Sequence, residues 1–90
     1  MRLAGKIAII TGTAGGMGQA AAVLFARHGA AVACVDLSED ANAETMALVA
    51  AEGGKAISIA ADVTRTVDVV RIVARTVSEL GLPNILFNNA

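Results

Sequence analysis

The sequence is poor in aromatic residues and cysteine, and each scarcity excludes a class of function. Its 90 residues include two phenylalanines and no tryptophan or tyrosine, so a stacking surface for nucleic-acid bases is missing. Net charge is −1, so a basic face that could follow a phosphate backbone is missing too. The single cysteine, Cys34, rules out an internal disulfide or a CxxC site, and its apolar neighbours predict a buried strand residue. We therefore expect no nucleic-acid partner.

Long apolar runs are also missing, although 56% of the residues are hydrophobic and the mean hydropathy is +0.66. No run reaches the roughly 18 residues that a membrane-spanning helix needs. The first run, 7–10, lies between Lys6 and Thr11 and is too short for the core of a signal peptide. We expect a cytoplasmic protein whose apolar surface is either buried by something outside these residues or used for association.

Apolar runs alternate with helix-like segments along the whole chain. The apolar runs predict four strands, at 6–11, 31–36, 55–60 and 84–88. Helical spacing and capping residues predict three helices, at 17–28, from Ser38 or Asp40 to 52, and from Thr64 or Thr66 to about 80. The order βαβαβαβ predicts a Rossmann-like, doubly wound α/β fold with a parallel sheet of strand order 3-2-1-4. At 90 residues the chain would be one small domain of this kind or part of a larger one.

Two of the helices carry side chains at helical spacing that predict their buried faces. In the second helix these are Ala43, Met46, Ala47 and Ala50. In the third helix they are Val69, Ile72, Val73, Thr76, Val77 and Leu80. The opposite face of the third helix is charged, and we expect weak surface pairs at Asp68–Arg71 and Arg75–Glu79.

A glycine-rich stretch at 11–18, Thr-Gly-Thr-Ala-Gly-Gly-Met-Gly, joins the first strand to the first helix. Its glycines remove side chains from a tight bend and let backbone N–H groups approach an anion at the positive end of a helix. The stretch predicts a nucleotide-binding turn, and the alternative is a bend needed only for packing. No Gly-Lys-Ser/Thr follows it, which excludes a P-loop.

An acidic residue, Asp36, ends the second strand about 18 residues beyond Gly18. Its carboxylate is suited to accept hydrogen bonds from both hydroxyls of an adenosine ribose. The alternative is a solvated acid at a strand end. Because a carboxylate would repel a 2′-phosphate, and no Lys or Arg stands at Gly15 or Leu37, the sequence favours NAD over NADP.

Polar residues also follow strands three and four, at the same predicted edge of the sheet. Asp62 could accept a hydrogen bond from the adenine amino group while Val63 packs on the ring, or Asp62 could instead help to cap the third helix. We expect Asn88 and Asn89 mainly to brace the glycine loop from below.

Together, the glycine loop, Asp36, Asp62-Val63-Thr64 and Asn88-Asn89-Ala90 resemble the N-terminal half of a short-chain dehydrogenase/reductase. The resemblance runs the full length of the chain, and it implies that residues 1–90 are the N-terminal part of a single dinucleotide-binding domain, truncated after strand four. Gly12, Gly16 and Gly18 fit the family's Thr-Gly-x3-Gly-x-Gly pattern, whereas Gly12, Gly15 and Gly18 fit the spacing of its extended branch. The Asn-Asn-Ala ending favours the ordinary single-domain branch. One departure is Asn84, where the family commonly has Asp, and we expect it to affect local packing.

The resemblance implies hydride exchange between a nicotinamide cofactor and a small alcohol or carbonyl compound, in a homo-oligomer. It implies cofactor contacts at Gly12, Thr13, Gly16, Met17, Gly18, Asp36, Leu37, Asp62, Val63, Asn89 and Ala90. The family's catalytic Asn, Ser, Tyr and Lys lie beyond strand four, so no catalytic residue is assigned here and the 90-residue chain alone is expected to be inactive.

Two alternatives stay open. One is a non-catalytic, truncated nucleotide-binding module. The other is a fragment of an S-adenosylmethionine-dependent methyltransferase, which the Asn-Asn-Ala ending disfavours because that class usually carries an Asn/Asp-Pro-Pro type motif there. On any of these interpretations the third helix should stand almost alone on one sheet face, and strand four should leave an open apolar edge at Ile85-Leu86-Phe87. We therefore expect residues 1–90 by themselves to be insoluble or loosely packed.

Overall fold

The computed structural model describes residues 2–89, and Ala90, with the cofactor contact expected of it, lies outside them. The described residues alternate strand and helix as the sequence predicts. The elements are β1 (Ile7–Thr11), α1 (Gly16–Arg27), β2 (Ala31–Asp36), α2 (Ala43–Ala51), β3 (Ala56–Ala60), α3 (Thr66–Glu79) and β4 (Ile85–Asn88).

The strands form one parallel sheet in the order β3-β2-β1-β4, which confirms the predicted Rossmann-like topology. The register pairs Ile10 of β1 with Cys34 of β2 on one side and with Phe87 of β4 on the other. The two central strands, β1 and β2, are apolar up to their last residues, Thr11 and Asp36, as is typical of strands with a core on each face of the sheet. Parallel pairing brings the carboxyl ends of all four strands to one edge of the sheet.

The two faces of the sheet have separate cores. On one face α1 and α2 pack against a cluster that includes Ala22, Val32 and Val49. On the other face α3 contributes Ile72 to a cluster with Val35 and Ile59. Among the described residues α3 is the helix of this second face, and beside it an apolar groove of about 410 Å³ runs over β1 and β4.

The second helix begins later than the sequence predicts. Ser38 Oγ accepts a hydrogen bond of 3.1 Å from the Ala41 backbone N–H, which belongs to a turn, and α2 starts only at Ala43. Neither Ser38 nor Asp40 caps the helix. The residue before α2 is Asn42, whose side chain points inward and makes no capping hydrogen bond.

The predicted buried face of α2 is wrong. Ala43, Ala47 and Ala50 are exposed, and the residues that α2 buries are Thr45 and Val49, with Met46 half-buried. Thr45 bonds to the glycine loop, as described below, and Val49 packs in the core of that sheet face, so these two positions define the buried face of α2.

The third helix follows its predicted register more closely. Ile72 and Thr76 are buried, and the pairs Asp68–Arg71 and Arg75–Glu79 form at 3.7 Å and 2.9 Å. Two features differ. Three residues of the predicted buried face are exposed: Val69 and Val73, which line the groove, and Val77, with exposed fractions of 42%, 44% and 42%. The residue before the helix is Arg65, so neither Thr64 nor Thr66 caps it. Within residues 2–89 no helix has the length and apolar character required to cross a bilayer.

Candidate functional site

The glycine loop leaves β1 by crossing the end of β2. The backbone N–H groups of Gly12 and Thr13 both donate to the Val35 carbonyl oxygen, at 2.8 Å and 3.2 Å. Gly12 has a φ of 74°, a left-handed conformation that glycine adopts without steric cost. The chain can therefore turn sharply at the edge where the strand ends meet.

The first turn of α1 lies directly against this loop. A Cβ atom on Gly18 would be 1.9 Å from the Gly12 carbonyl oxygen and 3.0 Å from Asn89 Nδ2. Only glycine fits at that position. Gly16 begins the helix with a φ of 57°, and the first turn contains no acidic residue. The positive end of α1, with its N–H groups that have no partner inside the helix, thus carries no acidic side chain of its own and is suited to a phosphate.

Asp36 lies beside the loop, as the sequence predicts. Its Oδ2 accepts a hydrogen bond of 2.8 Å from the Ala14 backbone N–H, and its Oδ1 accepts one of 2.7 Å from the Leu37 N–H. These bonds aim the carboxylate along the strand-end edge. The Leu37 and Met17 side chains on either side are 74% and 71% exposed, so apolar surface flanks the carboxylate and the loop.

A cleft of about 370 Å³ opens where the ends of β1, β2 and β3 meet. It brings together two of the acidic residues singled out in the sequence. It is lined by Gly12, Val35, Asp36, Leu37, Ala61, Asp62, Val63 and Thr64. The cleft therefore joins the glycine loop to the residues that follow β2 and β3.

Asp62 is engaged in its own turn. Its Oδ1 accepts hydrogen bonds from the Thr64 N–H at 2.9 Å and from Thr64 Oγ1 at 2.6 Å. The two hydrogen bonds from Thr64 lower the pKa of the Asp62 carboxyl below its ordinary value. The Asp62 N–H in turn donates to Asp68 Oδ2 at 2.7 Å. Asp62 thus shapes the entry to α3 as well as lining the cleft.

The end of β4 braces the loop from below, as expected. Thr11 Oγ1 donates to Asn88 Oδ1 at 2.9 Å and accepts from the Asn89 N–H at 2.9 Å, and Asn89 Nδ2 donates to the Gly12 carbonyl oxygen at 3.4 Å. Asn84 has the local role expected of it, because its Oδ1 accepts from the Ile7 N–H at 2.9 Å.

Three polar residues that the sequence did not single out also hold the loop. Asn42 and Thr45 of the α2 region are completely buried and bond to Thr13, and Gln19 Nε2 donates to Thr45 Oγ1 at 3.0 Å. In the sequence these residues sit among polar and small neighbours with nothing to distinguish them from surface positions.

Comparison with known proteins identifies what this arrangement belongs to. The chain matches the family model for short chain dehydrogenase over residues 6–90. It is 44% identical over 90 residues to an uncharacterized oxidoreductase of Thermotoga maritima and 45% identical over 89 residues to tropinone reductase-like 1 of Erythroxylum coca. These alignments cover 100% and 99% of this chain but 35% and 32% of the relatives, so the chain spans about a third of their length.

Comparison of the fold with solved structures agrees with the sequence comparison. It superposes on a crystal structure of NAD⁺-bound xylitol dehydrogenase with a TM-score of 0.95 at 34% identity, covering 100% of this chain and 35% of the other. This agreement replaces the methyltransferase alternative. The chain belongs to the short-chain dehydrogenase family.

Proposed function

We propose that this chain is the NAD-binding portion of a short-chain oxidoreductase that transfers hydride between nicotinamide and a small alcohol or carbonyl substrate. When bound, the nicotinamide would supply or accept the hydride. The observation that carries the proposal is the position of Asp36, whose carboxylate lies at the end of β2, beside the glycine loop and on the wall of the cleft. That is the position from which an acid can bind the ribose of a dinucleotide.

Each part of the site has a proposed role in holding NAD. The positive end of α1, from Gly16 to Gly18, would hold the pyrophosphate, because no side chain at Gly18 separates the helix from the loop. Asp36 would accept hydrogen bonds from the adenosine ribose. Asp62 and Val63 would contact the adenine from the far wall of the cleft, with Val63 packing on the ring.

The remaining contacts are proposed at the rim of the site. The exposed side chains of Met17 and Leu37 would cover the cofactor from the solvent side. Thr13 would act through its backbone, since its side chain is completely buried. Asn89 would hold Gly12 in place and contact the cofactor beside it.

We propose that the cofactor is NAD rather than NADP because the site has a carboxylate that would repel a 2′-phosphate and has, in the glycine loop and in the residues after β2, no basic side chain that would attract it. A phosphate there would approach the Asp36 carboxylate within a few ångströms, and residues 12–18 and 37–42 include no lysine or arginine to offset the charge. At an effective dielectric constant of about 20, two like charges about 4 Å apart repel by roughly 4 kcal/mol. The NAD⁺ bound to the similar xylitol dehydrogenase is consistent with this preference.

The chemistry itself would need residues beyond these 90. The chain contains no tyrosine, so the tyrosine acid/base that the family resemblance implies must come from the rest of the full-length protein. A homo-oligomeric assembly and a cytoplasmic location are part of the same proposal. The competing proposal is a nucleotide-binding module without catalysis, and it predicts NAD binding with no NAD-dependent turnover of alcohols or carbonyl compounds.

The test is the affinity of the full-length protein for NAD⁺ and NADP⁺, measured by isothermal titration calorimetry. We expect NAD⁺ to bind at least about tenfold more tightly. Asp36→Ala should reduce the difference between the two affinities. Asp40→Ala, which removes an exposed carboxylate from the turn before α2, should leave that difference unchanged. Equal affinities in the native protein would overturn the preference, and binding of neither dinucleotide would overturn the proposed function.

A further inference from the structure

One peptide unit of the glycine loop is held at both of its ends. The unit joins Thr13 to Ala14. Its carbonyl oxygen, on Thr13, accepts a hydrogen bond from the Thr45 hydroxyl of α2, and its N–H, on Ala14, donates to Asp36 Oδ2 at 2.8 Å. Because the carbonyl and N–H of a trans peptide point in opposite directions, the two bonds lie on opposite sides of the unit. Thr45 therefore fixes the orientation of the N–H that Asp36 accepts.

The donors and acceptors around Thr45 leave a single consistent direction for these bonds. Gln19 Nε2 is an amide nitrogen that can donate but cannot accept a hydrogen bond, so it donates to Thr45 Oγ1, at 3.0 Å. The Thr45 hydroxyl then directs its one hydrogen to the Thr13 carbonyl oxygen. Thr45 is completely buried, so water does not compete for that carbonyl at this side.

Asn42 holds the same loop residue through its side chain. Asn42 Nδ2 donates to the Cys34 carbonyl oxygen at 2.9 Å, which leaves Oδ1 to accept from Thr13 Oγ1 at 2.7 Å. Thr13 is thus attached through its hydroxyl to Asn42, the residue before α2, and through its carbonyl to Thr45 of α2. A loop with four glycines in eight positions has many backbone conformations available, and these two attachments restrict them, together with the N–H bonds to Val35 described above.

We propose that Thr45 is a positioning residue for NAD: it sets the Thr13–Ala14 peptide so that Asp36 presents its carboxylate to the adenosine ribose. The inference rests on the proposed function and adds a determinant on α2 that does not line the cleft. Without the Thr45 hydroxyl, the peptide can rotate, Ala14 no longer donates to Asp36, and the carboxylate loses one of the two N–H groups that aim it.

The test is a double-mutant cycle on NAD⁺ affinity in the full-length protein. Thr45→Val keeps the shape of the side chain and removes the hydroxyl, and we expect it to raise the Kd for NAD⁺ about tenfold. In the Asp36→Ala background the same substitution should change the Kd less than about twofold, because the residue through which Thr45 acts is gone. Thr45→Ser restores the hydroxyl and should restore the native affinity.

A matched control is available on the other face of the sheet. Thr76 is also completely buried on a helix, but its hydroxyl donates to the Ile72 carbonyl oxygen of its own helix, at 2.8 Å. Thr76→Val removes a buried hydroxyl of the same kind and should leave the Kd for NAD⁺ unchanged. A general loss of packing would affect both variants alike.

The outcomes separate the inference from the proposed function. If the native protein binds neither NAD⁺ nor NADP⁺, the proposed function fails. If the native protein binds NAD⁺ and Thr45→Val binds it equally well, or weakens it by the same factor with and without Asp36, the positioning role alone is overturned. Failure of Thr45→Val to fold, or of Thr45→Ser to restore affinity, would also overturn it, since Thr45 would then be a purely structural residue.

Discussion

Replacing Gly18 with alanine should separate α1 from the glycine loop. The new Cβ would lie 1.9 Å from the carbonyl oxygen and 2.6 Å from the carbonyl carbon of Gly12, where ordinary contacts begin at 3.4 Å. Because these are backbone atoms, no change of side-chain rotamer relieves the overlap. The helix and the loop must therefore move apart by about 1.5 Å, which is the difference between an ordinary contact of 3.4 Å and the 1.9 Å to the Gly12 carbonyl oxygen.

That displacement acts on the part of the site proposed to hold the pyrophosphate. Hydrogen bonds to a charged group are each worth about 1.5–3 kcal/mol, so losing one of those proposed to hold the pyrophosphate should lower the affinity of the full-length protein for NAD⁺ by at least about tenfold. Overpacking should also lower the free energy of unfolding by about 1–3 kcal/mol. Calorimetry with NAD⁺ gives the first value, and chemical denaturation without cofactor gives the second.

Two other glycines provide the controls. In Gly54→Ala the new Cβ would meet Ala26 Cβ at 2.8 Å and Val49 Cγ1 at 3.1 Å, so packing suffers far from the loop while NAD⁺ affinity should persist. In Gly15→Ala the Cβ would meet nothing within 4 Å, so the fold should be unaffected. The reasoning is refuted if Gly18→Ala binds NAD⁺ as the native protein does, or if Gly54→Ala loses affinity equally.

Three further outcomes follow from burial and charge. Burial raises the pKa of the Cys34 thiol to about 12, so iodoacetamide at pH 8 should alkylate the denatured protein and spare the native one; rapid native labelling would contradict this. The hydrogen bonds from Arg27 hold the pKa of the Glu52 carboxyl below its ordinary 4.5. The stabilisation of the fold by this ion pair is therefore present above that pH and is lost as the pH falls through the pKa of Glu52 in the folded protein. Unfolding free energy below pH 4.5 should therefore drop more steeply in the native protein than in Glu52→Gln, and equal slopes would count against the pair. Residues 1–90 expressed alone should aggregate or melt broadly, because Leu86 and the groove beside α3 expose apolar surface; a sharp two-state melt of a monomer would contradict this.

Much of the fold could be predicted because the physics that sets it is local and repetitive. The apolar run 31–36 coincides with β2, and the chain turns just after α1 at Gly29, whose φ of 97° glycine adopts readily. The strand order followed from the alternation of strands and helices. The start and rotation of α2 could not be predicted, because alanines at helical spacing fit a buried face and an exposed face equally well.

The candidate site likewise contains residues that the sequence could predict and residues that it could not. Gly18, Asp36 and Asn89 stand at positions that the sequence marks, and the structure brings all three to one edge of the sheet. Asn42 and Thr45 were missed because their importance comes from contacts with Thr13, about 30 residues away in the chain. A polar residue that is buried looks the same in sequence as one on the surface.

The most direct test of the central claim is a crystal structure of the full-length protein with NAD⁺ bound. We expect the pyrophosphate at the start of α1, the adenine in the cleft beside Val63, and both oxygens of the Asp36 carboxylate within hydrogen-bond distance of the adenosine ribose hydroxyls. An NAD⁺ molecule bound elsewhere, or one whose ribose makes no contact with Asp36, would contradict the account.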